Sequence, residues 1–496
     1  MVIKTTNKRR QLIVLTLFII SSWVNISHAG DIYIGTSTVD ITPKLPFALL
    51  GQFHMRIAYT IKTPLTANVV ALESRINGRG AESAILVSCD LTVITPALLS
   101  RVRNELKGRI PELDVNKVIL TATHTHTAPV LGNENLTYPV PKEGVTQNDT
   151  ALSFISGRIT DAIQRAWESR GVGSMTWGLS HAVVGYNRRS VYANGTAAMY
   201  GSTRIPDYRG PEGYEDHDIN TLFFWNKTGR LIAAAINVAC PAQEVGGDST
   251  VNADFWHDTR IALKKRFGAN LCVIGWVGAA GDQSPSLMYR HAAEERMHRL
   301  RKISRMGEIA RRITVAVEDA YEVVKRDRYT QVAFIHKVDT LYLPMRLLSE
   351  VEYSQAKSGR DNIAARLIAN PELKNELQAQ MIWSQQAIDR FEKQKINTEI
   401  KFEAEIHVLR IGDAVICTNP FELFVDYGIR IQARSKAIQT FVVQLAGCGN
   451  YVPTEKAVKG GGYSVIMTSS WVGPEGGHIL VDRTVRLIDS LWAKTE

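Results

Sequence analysis

Short, unbroken apolar runs alternate with helical patterns along this chain. Val69-Val70-Ala71-Leu72, Ala84-Ile85-Leu86-Val87 and Val118-Ile119-Leu120 are bounded by Gly, Pro and Asn. Runs this short read as strands buried on both faces. Residues 97–106 and 155–167 carry helical spacing between such runs, and Leu231–Val238 and 271–277 read as further strands. Strand, helix and strand in alternation predict an α/β fold with a mixed sheet and surrounding helices. A helix rich in Arg, Glu and Ala is expected over 292–324, with Gly307 as its weak point. Residues 347–398 are polar, rich in Gln, Lys and Glu, and interrupted at Pro371. They read as a helical hairpin inserted into the domain, its charges facing solvent. Strands resume over 406–411 and Ala414–Thr418.

The N-terminus reads differently. Lys4, Lys8, Arg9 and Arg10 precede the apolar stretch 12–24, and Ser27-His28-Ala29 follows with small residues at its first and last positions. That is the pattern of a secretory signal peptide over 1–29, cut after Ala29 and too short for a spanning helix. The mature chain, 30–496, is expected to be periplasmic or secreted, with no stable membrane anchor. Removing the four positive charges of the leader from the net +9 leaves +5. So mild an excess favours acidic partners without requiring them, and no Lys/Arg run with interleaved aromatics points to nucleic acid. Cys89, Cys240, Cys272, Cys417 and Cys448 are scattered, with neither zinc-finger spacing nor the density of a disulfide scaffold.

Thr123-His124-Thr125-His126-Thr127-Ala128-Pro129 directly follows the run 118–120. Ligands of open α/β sheets bind at such carboxyl ends of strands. Residues i and i+2 of an extended chain point the same way. Two imidazoles so placed can bind a metal, or one can bind while the other acts as a base. Taken alone, a His-x-His is more often a hydrogen-bonded loop pair, and only its context raises it further. Gly278-Ala279-Ala280-Gly281-Asp282-Gln283-Ser284-Pro285 follows another apolar run and can present a hydroxyl and backbone N–H groups. Gly-Asp and Ser-Pro are equally common in ordinary turns. Asn419-Pro420-Phe421-Glu422 and Asn450-Tyr451 also follow strand-like runs, leaving Glu422 and Tyr451 at strand ends.

In this order these four segments resemble the neutral/alkaline, non-lysosomal ceramidases. Val39-Asp40-Ile41-Thr42-Pro43, Ser88-Cys89-Asp90-Leu91 and Gly185-Tyr186-Asn187-Arg188-Arg189 add to the likeness. The resemblance covers nearly all of the mature chain and implies a ceramidase-like catalytic domain. That family is a zinc amidase that cleaves the N-acyl bond of ceramide. The resemblance implies metal ligation by His124, Glu422 and Tyr451, with His126 beside the metal. Ser284 matches the family's serine in Gly-Asp-x-Ser-Pro. His126, Ser284 and Tyr451 are the expected catalytic residues, and zinc or another divalent metal the expected cofactor.

The sequence also departs from that pattern. The family's second histidine ligand is absent from Ala239-Cys240-Pro241-Ala242-Gln243-Glu244-Val245, where Gln243 or Glu244 could replace it, or His257 could reach in. Ala279 and Ser286 stand where asparagines flank the family's serine, and the family's C-terminal β-sandwich is expected to be absent. On these grounds the first expectation is a metal-assisted dehydratase or lyase. It would act on an acidic or polyhydroxylated oligosaccharide, the metal acidifying a C–H and a histidine taking the proton. The alternative is a zinc-dependent N-acyl hydrolase of ceramidase type, acting on a small molecule.

Overall fold

The computed structural model describes residues 29–132 and 137–492. Residues 1–28, which carry nearly all of the expected signal peptide, lie outside the described residues.

A nine-stranded mixed sheet dominates the molecule. Its order is Cys272–Val277, Leu231–Val238, Asp218–Asn226, Gly171–His181, Gly30–Asp40, Thr66–Ile76, Arg79–Cys89 and Val118–Ala122, with Gln331–Val332 beside Gly30–Asp40. The inner strands pair antiparallel. At each edge the last two strands pair parallel. A second, four-stranded sheet runs Phe334–Pro344, Lys401–Ile411, Ala414–Thr418 and Gln439–Val443. Its last pair is parallel as well.

Parallel neighbours need a crossover, and each pair has a helix to provide it. Helix Pro96–Arg109 joins Arg79–Cys89 to Val118–Ala122. Helix Phe255–Phe267 joins Leu231–Val238 to Cys272–Val277, and helix Val425–Arg434 joins Ala414–Thr418 to Gln439–Val443. The three units are tied together near their carboxyl ends. Asn237 donates to the Val442 carbonyl at 3.1 Å, Gln444 N–H to Val277 at 3.0 Å, and Ala122 N–H to Leu445 at 3.1 Å.

The apolar runs are continuous because both faces of these strands are covered. Val69 and Ala71 face the core beneath helices Pro96–Arg109 and Asn148–Glu168, while Val70 and Leu72 face a core shared with the second sheet. Ile85 and Val87 divide from Ala84 and Leu86 in the same way. On the other half of the sheet Phe223 and Trp225 lie under helices Phe255–Phe267 and Arg305–Val324, and Leu222 and Phe224 turn inward. Strands buried on both faces lose the alternation of polar and apolar residues.

The insertion is a hairpin of helices Glu350–Ala369 and Lys374–Ile396, with Pro371 opening the turn and a Ser349/Glu352 capping box starting it. Its second helix packs Ala379 and Trp383 against Ala48, Met55 and Tyr138. The expected helix over 292–324 is instead two, His291–Arg301 and Arg305–Val324. Lys302 takes a left-handed conformation, and Ser304 caps the second helix by accepting from Gly307 N–H at 3.0 Å. The break therefore falls at the capping serine, and Gly307 lies in the following turn.

One buried ion pair braces the first crossover against the second. Arg260, on helix Phe255–Phe267, holds both oxygens of Asp90 at 2.6 and 2.9 Å. Asp90 follows directly on strand Arg79–Cys89 and also accepts from the Thr66 N–H (2.8 Å) and hydroxyl (2.9 Å). Arg260→Met is expected to leave this carboxylate buried without its cation. The destabilisation should be about 3–5 kcal/mol, read as a lower urea midpoint at unchanged slope.

Candidate active site

Every segment singled out for chemistry leaves the carboxyl end of a strand in one of the three parallel pairs. Thr123–His126 follows Val118–Ala122, Gln243 follows Leu231–Val238, and Ser284 follows Cys272–Val277. Glu422 follows Ala414–Thr418 and Tyr451 follows Gln439–Val443. Glu422 and Tyr451 then pair directly opposite one another in a short parallel bridge.

His124 has a left-handed backbone (φ 68°). Its N–H is held by the Leu91 carbonyl at 2.9 Å, and Nδ1 is 2.6 Å from the Thr92 carbonyl. With Nδ1–H donated there, Nε2 points into the site. It lies 3.3 Å from Glu422 Oε2 and 3.3 Å from His126 Nε2. The His126 carbonyl accepts from Arg56 at 2.6 Å. Gly51 crosses the His126 ring so closely that a Cβ there would lie 2.4 Å from it. Burial, with the charges of Arg56 and Arg188 and the neighbouring His124, pushes the His126 imidazole well below its ordinary pKa. His126 is therefore a neutral ring near pH 7.

The remaining polar groups gather on Arg188, which is 2% exposed. Its Nη2 donates to the Gly281 carbonyl at 2.8 Å and to Tyr451 Oη at 3.2 Å, and lies 3.9 Å from Glu422 Oε2. Its Nη1 donates to Tyr200 Oη at 3.0 Å and Gln243 Oε1 at 3.2 Å. Gln243 Nε2 in turn meets His126 Nε2 at 2.8 Å. His124, Glu422, Tyr451, Arg188, Gln243 and His126 thus close a ring of polar contacts. Burial favours a protonated Glu422, but His124, Arg188 and Tyr451 prevail and hold it below the usual carboxylate range. Burial, and then the Glu422 charge, push the Tyr451 phenol well up.

Ser284 is fully buried beside this ring. Its oxygen accepts from the Tyr200 hydroxyl at 3.1 Å and from Ser286 N–H at 3.1 Å, leaving its own O–H free to donate. The preceding Asp282 anchors the loop, accepting from Asn187 at 2.8 Å and from Val425 N–H at 2.9 Å. Burial raises its pKa to about 6.

All four expected residue positions, His124/His126, Ser284, Glu422 and Tyr451, are thus brought together. The two carboxylate and imidazole substitutes for the missing histidine are not part of the ring. Glu244 turns to Arg305 at 2.8 Å, and its pKa, raised chiefly by burial, is about 7. His257 lies in helix Phe255–Phe267. Gln243 is the one of the three candidates that joins the ring. Arg188 lay inside a recognised sequence motif but carried no assigned role. Tyr200 had no sequence signal at all; it enters from a loop with φ 54°.

The zinc implied by the family resemblance would be held by His124, Glu422 and Tyr451, of which His124 Nε2 and Glu422 Oε2 stand 3.3 Å apart. Among the described residues no group of three or more His, Cys, Asp or Glu side chains stands together as a metal would require. The His126 lone pair faces the Gln243 amide, and the Gln243 oxygen faces Arg188.

No family model matches the sequence, and no curated protein matches it. Solved structures do. The neutral ceramidase from Pseudomonas aeruginosa superposes with a TM-score of 0.64 at 16% identity, over 94% of this chain and 76% of that one. A structure described as ceramidase complexed with C2 gives 0.63 at 15% identity, over 93% and 76%. These likenesses overturn the expectation of an oligosaccharide dehydratase or lyase, since the solved neighbours are ceramidases and not carbohydrate lyases. The fold is ceramidase-like.

Proposed function

We propose that this chain is an amide hydrolase that cleaves the N-acyl bond of a small molecule. The observation carrying this reading is the closed polar ring around Arg188 and His126, with Ser284 beside it, set at the strand ends of a ceramidase-like fold. The acyl oxygen would lie against the Ser284 hydroxyl, with the Arg188 charge behind it. The neutral His126 ring would take a proton from the attacking water, and later return it to the leaving nitrogen. Tyr451 and Glu422 hold Arg188 and His124 in place. Zinc, implied by the family resemblance at His124, Glu422 and Tyr451, has no step in this reading. Among the described residues no helix is long and apolar enough to cross a membrane. Export is part of the proposal and rests on the charged and apolar N-terminal segment.

The test is incubation of the purified chain with a panel of N-acyl amides, from acetylated amino sugars to short-chain ceramides, followed by mass spectrometry. Release of a carboxylic acid and an amine in equal amounts is expected; no release across the panel overturns the reading. On an active amide, His126→Ala should lower kcat about 10²–10⁴-fold. Ser284→Ala, which removes a donor to the oxyanion, should cost about 10²–10³-fold. Gly51→Ala is expected to reproduce part of the His126 defect, because the added Cβ meets the ring at 2.4 Å and the residue has a φ of +108°. A Gly51→Ala enzyme with unaltered turnover would show that the ring need not stay where it is.

A further inference from the structure

A cavity of about 310 Å³ lies where the second helix of the inserted hairpin meets the body of the fold. One wall is the Asp389–Lys393 stretch of helix Lys374–Ile396, with Arg390 and Lys393 lining the space. The facing wall is apolar and consists of Met345, Ile400 and Trp471. Backbone bonds fix that wall. Met345 N–H donates to the Ile400 carbonyl at 3.0 Å, and Arg346 N–H to the Trp471 carbonyl at 2.8 Å. Gln394 ties the helix to the same segment, accepting from Leu348 N–H at 2.8 Å and donating to the Leu348 carbonyl at 2.6 Å. The space is therefore preformed, and its size and mostly apolar lining are those of a small-molecule pocket. It shares no residue with the polar ring at the strand ends.

Arg390 is the residue in this wall that the fold leaves poorly served. It is 8% exposed. Its Nη2 donates to the Met467 carbonyl at 3.0 Å, but its Nε is buried without a partner among the described residues. The neighbouring carboxylates are engaged elsewhere. Glu352 pairs with Arg346, and Asp389 accepts from the Gln385 amide at 2.7 Å. Arg346 is itself a second cation beside Arg390, and its Nη1 is also buried without a partner. Burial first, and then the Arg346 charge, push the Arg390 pKa down to about 10, with Glu352 offsetting only part of this. A buried guanidinium with so few acceptors bears a desolvation penalty that an added anion would relieve.

We propose that this cavity binds an amphipathic monocarboxylic acid, its carboxylate against Arg390 and Lys393 and its apolar body against Met345, Ile400 and Trp471. A carboxylate matches the donor geometry of a guanidinium and makes the stronger, charge-assisted kind of hydrogen bond. Water or an inorganic ion would serve the cation but leave the apolar wall wet, whereas a ligand with an alkyl or aryl body also removes that wall from water. The Asp389 carboxylate at the edge disfavours a second negative charge, which selects monoacids over diacids. A ligand seated here touches both the hairpin and the body of the fold, so its binding clamps one to the other.

The test is calorimetric titration of the purified full chain with sodium octanoate, alongside acetate, octanol, octylammonium and the eight-carbon diacid suberate. Saturable binding of one octanoate per chain is expected, with a rise in melting temperature that grows with its concentration. The four analogues are each expected to bind about tenfold more weakly or worse, since each lacks the apolar body or the anion or adds the second charge. Arg390→Met should weaken octanoate binding about 10–100-fold while relaxing the preference for octanoate over octanol. Because Arg390 also holds Met467, two further variants guard against a folding defect. Lys393→Glu, at an exposed position, should weaken octanoate several-fold, and Ile400→Trp, which fills the cavity, should abolish its binding. Absence of saturable octanoate binding overturns the proposal. So does binding that persists unchanged in folded Lys393→Glu and Ile400→Trp chains, which would place the acid elsewhere on the molecule. Equal affinity for octanoate and octanol would remove Arg390 from recognition and overturn the acid assignment. None of these readouts uses turnover, so they stand or fall separately from the amide hydrolase reading.

Discussion

Parallel strand pairing is the constraint from which the site follows. Two parallel neighbours cannot be joined by a tight turn, so each pair brings its own helix, and both of its carboxyl ends emerge on the same side. This chain uses that device three times, in Arg79–Cys89 with Val118–Ala122, Leu231–Val238 with Cys272–Val277, and Ala414–Thr418 with Gln439–Val443. Backbone bonds such as Ala122 N–H to Leu445 and Gln444 N–H to Val277 then bring the three sets of ends together. Loops from five different strands meet within hydrogen-bonding distance of one another. The Asp90–Arg260 pair braces the base of that meeting point, next to the segment that carries His124.

What gathers there is organised by a buried cation. A guanidinium in a protein interior must satisfy its N–H groups or bear a large desolvation penalty. Arg188 finds the Gly281 carbonyl, Tyr451, Tyr200 and Gln243, which come from four separate segments. Those same partners touch His126, Ser284 and Glu422. The charge that needs solvation therefore also fixes the relative positions of the groups available for chemistry. Ser284 and His126 do not touch directly; they are linked through Tyr200, Arg188 and Gln243.

Gln243, in the stretch that lacks the second histidine, serves the buried guanidinium of Arg188 as an acceptor. A histidine ligand would leave Arg188 without an acceptor that Gln243 now provides. The polar ring has one carboxylate, one guanidinium and a neutral His126 among its members. The departures from the family pattern leave the fold untouched, since the strands and crossovers owe nothing to residue 243.

The apolar runs by themselves determined the α/β class and the strands buried on both faces. Val69 to Leu72 could only be continuous if helices covered one side and a second sheet the other. Sequence order likewise placed His124, Ser284, Glu422 and Tyr451 at strand ends, and Pro371 in the turn of the helical hairpin. It could not place the helix break at Ser304, because helix-forming residues continue on both sides of it and the break rests on the left-handed Lys302 and the Ser304 cap. Choosing among Gln243, Glu244 and His257 was also beyond it, because Arg305 draws Glu244 away only once helix Arg305–Val324 has docked. Arg188 and Tyr200 became part of the site only in three dimensions. Local periodicity decides whether a segment is strand or helix, whereas a buried charge takes its partners from whichever segments the folded chain brings beside it, and no local pattern encodes that.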